Sequence, residues 1–281
     1  MPETRTIALP HGRSLHAVTA GRGPDLLLIH GAVTTHRDWL AGPFDRLARH
    51  HRVTAVDRPG HGKSVRRRFE GSPHDQANQI VEGMDALGIG RTLIVGHSFG
   101  GTVALSLAER HPERVAGLVL IAPLAFPEPR PLEHLLIAPR ALPVAGPAFS
   151  RLAEATFDRP LLEGVHMLMF SPQSPPPEWK AGYAYDEVLA TGAMVAEGED
   201  TAAIMPFSPE ALIRHDRIEA PTHILTGTSD RVVNPAVHAR PLARLIPNAR
   251  LTELPGIGHM AHLCAADEMV AAIEEMGALA G

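Results

Sequence analysis

The chain has very little cysteine and few aromatic residues. Of its 281 residues only Cys264 is a cysteine, and aromatic side chains make up 4%. A single cysteine cannot form an intramolecular disulfide, so the fold has to be held by a noncovalent core. Apolar residues make up 44% of the chain, which is enough for one large α/β domain or for a domain with an insertion.

The sequence also lacks a basic excess and a long apolar run. Its formal net charge is −5, whereas a nucleic-acid partner normally requires a basic face. The most apolar run, residues 115–122, is too short to span a bilayer. Residues 1–6 do not show the charged and apolar pattern of a secretory signal. We therefore expect a cytoplasmic protein that binds neither nucleic acid nor membranes.

Short apolar runs alternate with amphipathic segments along most of the chain. This alternation predicts an α/β fold, in which a mostly parallel sheet of about eight strands has helices on both faces. The first two runs are expected to form an antiparallel pair, and the wholly apolar runs to form buried parallel strands. The predicted strands are residues 4–9, 15–20, 26–29, 53–56, 92–95, 115–121, 222–226 and 250–254.

Helix start and stop residues separate these strands. Ser72 and Pro73 are typical of a helix N-terminus, and Gly88 is typical of a helix end, so a helix is predicted over residues 73–87. Further helices are predicted from Ser208, from Asn234 to about residue 246, and over residues 261–276.

The alternation stops in a proline-rich segment. Twelve of the 26 prolines lie between residues 123 and 177. The 81 residues from 125 to 205 are too many for one loop of a compact domain. They are predicted to form a helical insertion, or cap, in a core made of residues 1–124 and 206–281.

Residues 96–100, Gly-His-Ser-Phe-Gly, follow a predicted strand and precede a predicted helix. A serine on such a sharp turn is exposed at the end of the sheet, and glycines two positions away allow strand and helix to approach closely. Ser98 is therefore the candidate nucleophile.

A serine hydroxyl needs a base, and the base needs an orienting acid. Asp230 and His259 follow two later predicted strands, in the order Ser98, Asp230, His259. His262 is the competing base, but it is expected inside the last helix, so His259 is favoured.

The turn after the third predicted strand supplies a second expected element. The backbone N–H groups of Ala32 in this turn and of Phe99 after the nucleophile would form an oxyanion hole. A simple turn at residues 30–31 is the alternative interpretation.

No metal is expected, although the chain contains 17 histidines. His259 and His262 are three residues apart, but no carboxylate or thiolate completes a ligand set in the sequence pattern, since Cys264 stands alone.

Together these motifs resemble those of the α/β-hydrolase superfamily, specifically its cap-bearing serine hydrolases. The resemblance covers nearly the whole chain and rests on five motifs in the family's order, at residues 27–31, 57–64, 96–101, 227–230 and 258–259. It implies the α/β-hydrolase fold with an inserted cap, a triad of Ser98, Asp230 and His259, and no cofactor. Residues 57–64 then form a structural turn.

The resemblance also orders the possible activities. Haloalkane dehalogenases and epoxide hydrolases need a carboxylate at the position of Ser98 and are disfavoured. We expect hydrolysis of small, largely apolar carboxylic esters through an acyl-enzyme. Three alternatives stay open: carbon–carbon bond hydrolysis of a ring-fission dienoate, perhydrolysis, and a ligand-binding protein that retains the triad.

The cap is expected to contact the small-molecule substrate. Its bulky side chains suit an apolar, adaptable pocket, although each of them alone could instead pack the cap onto the core. The residues predicted to bind substrate are Met167, Phe170, Trp179 and Tyr183.

Overall fold

The computed structural model describes residues 2–204 and 213–280. Within these ranges eight strands form one sheet in the order β1-β2-β4-β3-β5-β6-β7-β8. The predicted α/β sheet is confirmed, and each predicted strand lies within two residues of an observed one. The strands are β1 (Glu3–Ala8), β2 (Ser14–Ala20), β3 (Asp25–Ile29), β4 (Arg52–Val56), β5 (Thr92–His97), β6 (Val115–Ile121), β7 (Thr222–Gly227) and β8 (Ala249–Leu254).

Strand direction decides where the site can form. β2 is antiparallel to both β1 and β4, and all the other neighbours are parallel. Ile29 pairs with Gly96, and His97 pairs with Ile121, in register across β3, β5 and β6. The turns that follow these strands therefore lie side by side at one edge of the sheet, where ligands of open parallel sheets bind.

The parallel strands are buried on both faces. Along β3, Leu27 and Ile29 belong to one apolar cluster, whereas Leu26 and Leu28 belong to the other. Successive side chains of a strand point to opposite faces, so a wholly apolar run is what a sheet covered by helices on both sides requires. Full burial of each such side chain stabilises the fold by about 1.5–3 kcal/mol.

Helices cover the two faces. Helices α3, α4 and α11 contribute to the first cluster, and α2 and α13 to the second. No helix in the described residues is long and apolar enough to cross a bilayer. The helices are α1 (Arg37–Leu40), α2 (Phe44–Leu47), α3 (Pro73–Leu87), α4 (Phe99–Arg110), α5 (Pro131–Leu136), α6 (Ala145–Glu154), α7 (Asp158–Phe170), α8 (Pro177–Gly182), α9 (Tyr185–Val188), α10 (Thr191–Ala203), α11 (Ala239–Leu245), α12 (Ala261–Cys264) and α13 (Ala266–Ala280).

The predicted ends of α3 are confirmed by its capping contacts. The Ser72 side chain accepts the backbone N–H of Asp75 at 3.1 Å, and Pro73 occupies the first turn. Gly88 ends the helix with a φ of 65°, which a residue without Cβ adopts at little cost.

Two other predicted helices differ from the structure. The helix expected from Asn234 begins only at Ala239, because Pro241 has no N–H for the carbonyl four residues earlier and its ring would clash there. The helix expected over residues 261–276 is divided at Ala265, whose φ of −136° and ψ of 50° are not helical. The helix predicted from Ser208 lies outside the described residues.

Helices α5–α10 lie between β6 and residue 204, and we call them the inserted helices. Buried charges join them to the rest of the chain: Asp200 of α10 accepts from Arg58 Nη1 and from Arg66 Nη1, at 2.6 Å each. On the other side, Trp179 Nε1 donates to Asp38 Oδ1 at 2.6 Å. The division of the chain into a core and a cap at residues 124/125 and 205/206 stays a prediction, and residue 205 is not among the described residues.

Replacing Gly100 with alanine tests the close packing of α4 against the sheet. A Cβ at Gly100 would come within 2.3 Å of the Ile29 carbonyl oxygen, so the helix would have to move. We expect Gly100→Ala to lower the free energy of unfolding by about 1–3 kcal/mol or more, as overpacking of a core does. Urea denaturation measures this change.

Gly164→Ala is the matched control. Gly164 lies inside α7, and a Cβ there would meet no atom within 4 Å. We expect this substitution to stabilise the protein by about 0.5–1 kcal/mol, because alanine loses less backbone entropy in a helix. Equal effects of the two substitutions would contradict the packing argument.

Candidate active site

Ser98 occupies the turn between β5 and α4 in a conformation that serine rarely adopts. Its φ of 53° and ψ of −121° lie outside the strand and helix regions, and such strain costs about 1–3 kcal/mol. The Ser98 N–H donates to the Ile121 carbonyl at 2.9 Å. A Cβ on Gly96 would come within 2.5 Å of the Gly100 carbonyl oxygen. Strand and helix therefore meet too closely for larger residues, and the turn presents Ser98 at the edge of the sheet.

His259 and Asp230 follow β8 and β7 and are joined by a hydrogen bond. His259 Nδ1–H donates to Asp230 Oδ2 at 2.8 Å, and both residues are buried. Asp230 Oδ1 accepts the backbone N–H groups of Val232 at 2.8 Å and Val233 at 2.9 Å. The carboxylate is thus fixed through both oxygens and leaves Nε2 of His259 as the ring nitrogen for another partner.

The residue before Ser98 is a buried histidine to which the sequence motif assigned no role. His97 Nε2–H donates to the main-chain oxygen of His259 at 3.2 Å, and the two rings are 4.8 Å apart. Burial lowers the pKa of His97 well below its ordinary value, so the ring is neutral and serves as a fixed donor. The turn that carries Ser98 therefore supports the loop that carries His259 directly.

The inserted helices and the segment after α7 support the same loop. The His259 N–H donates to the Met169 carbonyl at 3.1 Å, and the Gly258 N–H donates to Gln173 Oε1 at 2.9 Å. A Cβ on Gly258 would come within 2.2 Å of the Ser171 carbonyl oxygen. The position of His259 thus depends on residues from both the sheet and the insertion.

The turn after β3 is fixed by the ring of His30. Its Nε2 accepts the backbone N–H of Arg58 at 2.8 Å, and its Nδ1–H donates to the Gly31 carbonyl at 2.8 Å. Burial lowers the pKa of His30 well below its ordinary value, which keeps one ring nitrogen as acceptor and the other as donor. The histidine next to Gly31 therefore has a structural role in shaping this turn.

The fixed turn passes beside Ser98. A Cβ on Gly31 would lie 3.0 Å from Ser98 Cβ. In the described part of the chain, no hydrogen bond uses the backbone N–H of Ala32 or of Phe99. Both N–H groups are therefore available to an oxygen atom bound at this edge.

A cavity of about 280 Å³ opens at this edge. Ser98, His259, Ala32 and Phe99 lie in its wall. Most of the remaining wall is apolar, which favours acyl chains or rings over charged groups. Most of the apolar wall comes from the inserted helices and from the single residues that follow α5 and α9. These side chains are Leu132, Leu136, Ile137, Leu161, Leu162, Val165, Leu168, Met169, Leu189 and Met194.

The four side chains expected to bind substrate do not lie in this wall, so their role in binding stays a prediction. Met167 is 58% exposed, and Phe170 is fully buried. Trp179 is bonded to Asp38, and its ring packs 5.0 Å from that of Tyr183. The aromatic rings pack on one another within the insertion, and Trp179 joins them to α1, in agreement with their alternative interpretation.

Helical spacing indicates the residues that do line the cavity. Within α7, Leu161, Leu162, Val165 and Leu168 recur at the three- and four-residue intervals of one helix face. Met167 is two positions from Val165 and so falls on another face. The bulk of a side chain was therefore a poorer guide than its periodicity.

Glu197 of α10 is a buried acid in the same wall, and no motif indicated it. Its Oε2 accepts the Val33 N–H at 3.3 Å and lies 3.9 Å from Arg58 Nη2 and 3.6 Å from His61 Nδ1. Burial raises the pKa of Glu197 to about 7, against the attraction of the Arg58 guanidinium. The carboxyl therefore titrates near neutral pH at the border between α10 and the turn after β3.

His262 belongs to a separate buried pair. Its Nε2–H donates to Asp38 Oδ2 at 2.8 Å, and its ring lies 4.2 Å from that of His97. His262 therefore contacts the site through the ring of His97. Its acid partner, Asp38, was not apparent in the sequence.

Three groups of histidine and acidic side chains in the described residues could hold a metal. They are His16, His36 and Asp57; Asp38, His97 and His262; and His61, Glu197 and Asp200. Each group contains a nitrogen–oxygen pair at 2.8–2.9 Å. Two ligands of a tetrahedral ion with bonds near 2.1 Å are about 3.4 Å apart, so these pairs have the geometry of hydrogen bonds.

Asp57 lies in the expected structural turn. Its Oδ1 accepts both the backbone N–H and the Nδ1–H of His36 at 2.8 Å, and its Oδ2 accepts the Lys63 N–H at 2.9 Å. Burial opposes its ionisation, but the hydrogen bond from His36 lowers the pKa of Asp57 to about 2. The side chain is thereby committed to holding the loop after β4.

Comparison with known proteins relates the sequence to a family. A family model described as alpha/beta hydrolase fold matches residues 24–266. A pimeloyl-acyl-carrier-protein methyl ester esterase of Nitrosomonas europaea is 38% identical over 109 residues, which are 39% of this chain and 41% of that protein.

Solved structures are similar over the full length. A hydrolase from Pseudomonas aeruginosa PA01 has a TM-score of 0.77 at 26% identity and covers 98% of each chain. An enol-lactonase from Burkholderia xenovorans LB400 has a TM-score of 0.76 at 22% identity and covers 97% of this chain and 99% of that one. At this lower identity the likeness concerns the fold.

Replacing Glu197 with glutamine tests the effect of burying this carboxyl. Its ordinary pKa is 4.5 and its folded pKa is about 7, so the folded state binds the proton more tightly. The contribution of this group to stability is fully present below the lower value and is lost as the pH rises through the higher one. We expect the melting temperature of the wild type, relative to Glu197→Gln, to fall between about pH 5 and about pH 7.5.

Glu178→Gln is the control, because Glu178 lies exposed on α8. Its melting temperature should follow that of the wild type across the same pH range. A difference between wild type and Glu197→Gln that does not change with pH would contradict the raised pKa.

Proposed function

The chain belongs to the alpha/beta hydrolase fold family, and from this premise we propose that it is a serine-dependent hydrolase of small, largely apolar carboxylic esters. Ser98 would be the nucleophile, His259 the general base and Asp230 the acid that orients it. The N–H groups of Ala32 and Phe99 would form the oxyanion hole.

One observation carries the proposal. The strained Ser98, His259, Ala32 and Phe99 all line one apolar cavity, and among the described residues the N–H groups of Ala32 and Phe99 have no hydrogen-bond partner. These are the parts that acyl transfer needs: a nucleophile, a base within one site, and donors for a developing negative charge.

The reaction would proceed in two halves. His259 Nε2 takes the Ser98 proton while Oγ attacks the ester carbonyl, and the two N–H groups stabilise the oxyanion. His259 then protonates the leaving alcohol, and an acyl-enzyme remains. In the second half His259 deprotonates a water molecule, which releases the acid and restores Ser98. Asp230 holds the ring through Nδ1 in every step.

The cavity wall favours an apolar acyl group, because its charged residues already have partners. Arg130 donates to Glu133 and Glu128 at 2.6–2.7 Å, and Asp158 accepts from Arg140 at 2.6–2.9 Å. A charged substrate would have to compete with these pairs. In this proposal the inserted helices act as the cap that contacts the acyl group and determines which acyl groups fit.

Labelling of Ser98 tests the proposal. We expect a fluorophosphonate to form one adduct with the wild type, located at Ser98, and no adduct with Ser98→Ala. Aryl ester hydrolysis should fall by about 10⁴-fold or more in Ser98→Ala, as in other triad enzymes that lose the nucleophile. If the wild-type protein is folded but forms no adduct, the result contradicts the hydrolase proposal and favours a ligand-binding role.

A panel of aryl esters with graded acyl length tests the substrate class. Each added methylene should raise kcat/KM about fourfold until the cavity is full, since burial of one CH₂ contributes about 0.8 kcal/mol. Leu162→Trp, in the wall, should shorten the preferred acyl chain. Leu152→Trp should not, because Leu152 is 62% exposed on α6.

The same panel includes a ring-fission dienoate and peracid formation. If the dienoate is hydrolysed, or a peracid is formed, faster than any ester is hydrolysed, that reaction replaces ester hydrolysis as the proposed activity. A rate independent of acyl length would contradict the role assigned to the cavity.

A further inference from the structure

Val33, directly after Ala32, has a backbone conformation that must be held in place. Its φ is 47°, in the left-handed region that β-branched residues strongly avoid. Such a residue keeps this conformation only where neighbouring groups impose it. The groups that contact its backbone therefore control the turn that carries the Ala32 N–H.

Both polar backbone groups of Val33 are bound by the inserted helices. Glu197 Oε2 of α10 accepts the Val33 N–H at 3.3 Å. The hydroxyl of Tyr183, between α8 and α9, donates to the Val33 carbonyl oxygen. Burial raises the pKa of Tyr183 well above its ordinary value, so the hydroxyl keeps the proton that it donates.

The two residues are themselves firmly placed. Tyr183 packs against the rings of His166 at 4.4 Å, Tyr185 at 4.7 Å and Trp179 at 5.0 Å. Glu197 is one turn before Asp200, whose buried ion pairs fasten α10 to the loop after β4. Because both side chains are held by these contacts, a rotation of the Val33 backbone would break its hydrogen bonds to them. We call Tyr183 and Glu197 together the clamp.

We propose that Tyr183 and Glu197 are positioning residues that clamp Val33 and thereby hold the Ala32 N–H toward Ser98, so that the inserted helices complete the oxyanion hole. This inference rests on the proposed serine hydrolase function. It gives the insertion a role in stabilising the transition state in addition to covering the cavity. Neither residue contacts the reacting atoms in this role.

A clamp of this kind has a distinct kinetic signature. The oxyanion exists only in the transition state and in the tetrahedral intermediates, so a misplaced donor lowers kcat more than it raises KM. Loss of one oxyanion donor lowers kcat by about 10²–10³-fold, and loosening it should lower kcat by about tenfold.

The experiment compares four variants in aryl ester hydrolysis and in inhibition by an aryl trifluoromethyl ketone, which forms a tetrahedral oxyanion adduct. Tyr183→Phe and Glu197→Leu should each lower kcat about tenfold and leave KM within about twofold of the wild-type value. Each should also raise the inhibition constant of the trifluoromethyl ketone about tenfold. Inhibition by the carboxylic acid product should not change. Glu197→Gln, which keeps an acceptor oxygen, should retain most of the wild-type kcat.

Tyr185→Phe is the matched control, because it removes a hydroxyl from the same ring cluster, and among the described residues the tyrosine hydroxyl bonded to the Val33 carbonyl is that of Tyr183. Equal activities of Tyr183→Phe and Tyr185→Phe, or losses confined to KM, would overturn the clamp. Glu197→Gln as impaired as Glu197→Leu would overturn the part assigned to Glu197. Failure of the wild type to react with a fluorophosphonate would instead remove the underlying function, so the two failures are distinguishable.

Discussion

The close approach of backbone at the end of β5 is the constraint on which the rest of the site depends. A Cβ on Gly100 would lie 2.3 Å from the Ile29 carbonyl oxygen, and one on Gly101 would lie 2.9 Å from Pro123 Cβ. The first turn of α4 is thus pressed against the residues that follow β3 and β6. This packing puts the strained Ser98 beside the turn at Gly31, and Ala32 and Phe99 of the two turns line the same cavity.

A second constraint is the layer of buried charge under the inserted helices. Asp200 is bonded to Arg58, Arg66 and His61, and the two guanidinium groups, against the cost of burial, hold the pKa of its carboxyl far below the ordinary range. Such a network adds little net stability, but removing one partner leaves an unpaired charge and typically costs 3–5 kcal/mol. Its effect is to fix the position of α10. The same helix carries Glu197 to the cavity wall and to Val33, so the charges that attach the insertion also determine the environment of the candidate oxyanion turn.

Local sequence patterns were sufficient for the sheet and for the residues at its edge. The apolar runs form strands at nearly the predicted positions, and α3 begins after Ser72 and ends before Gly88. Both could be predicted because burial on both faces and helix capping are properties of a few neighbouring residues. Ser98 and His259 lie in one cavity wall, with Asp230 bonded to His259, since parallel strands bring their ends to one edge. The insertion was predictable only as helical. Its bulky residues Trp179 and Phe170 pack internally, whereas medium-sized side chains on one face of α7, such as Leu161 and Leu162, line the cavity.

The sequence by itself determined the chemistry that is available: a serine between glycines after an apolar strand, and an acid and a histidine after two later strands. These are short-range features, and the parallel sheet turns their order along the chain into proximity. Only the tertiary structure decided which side chains support them. The bonds from His97 to His259, from Asp38 to His262 and from Glu197 to Val33 join residues 162, 224 and 164 positions apart. No local pattern encodes such pairs, because they depend on how distant segments of the chain pack together, and that packing is the sum of many weak contacts distributed over the whole chain.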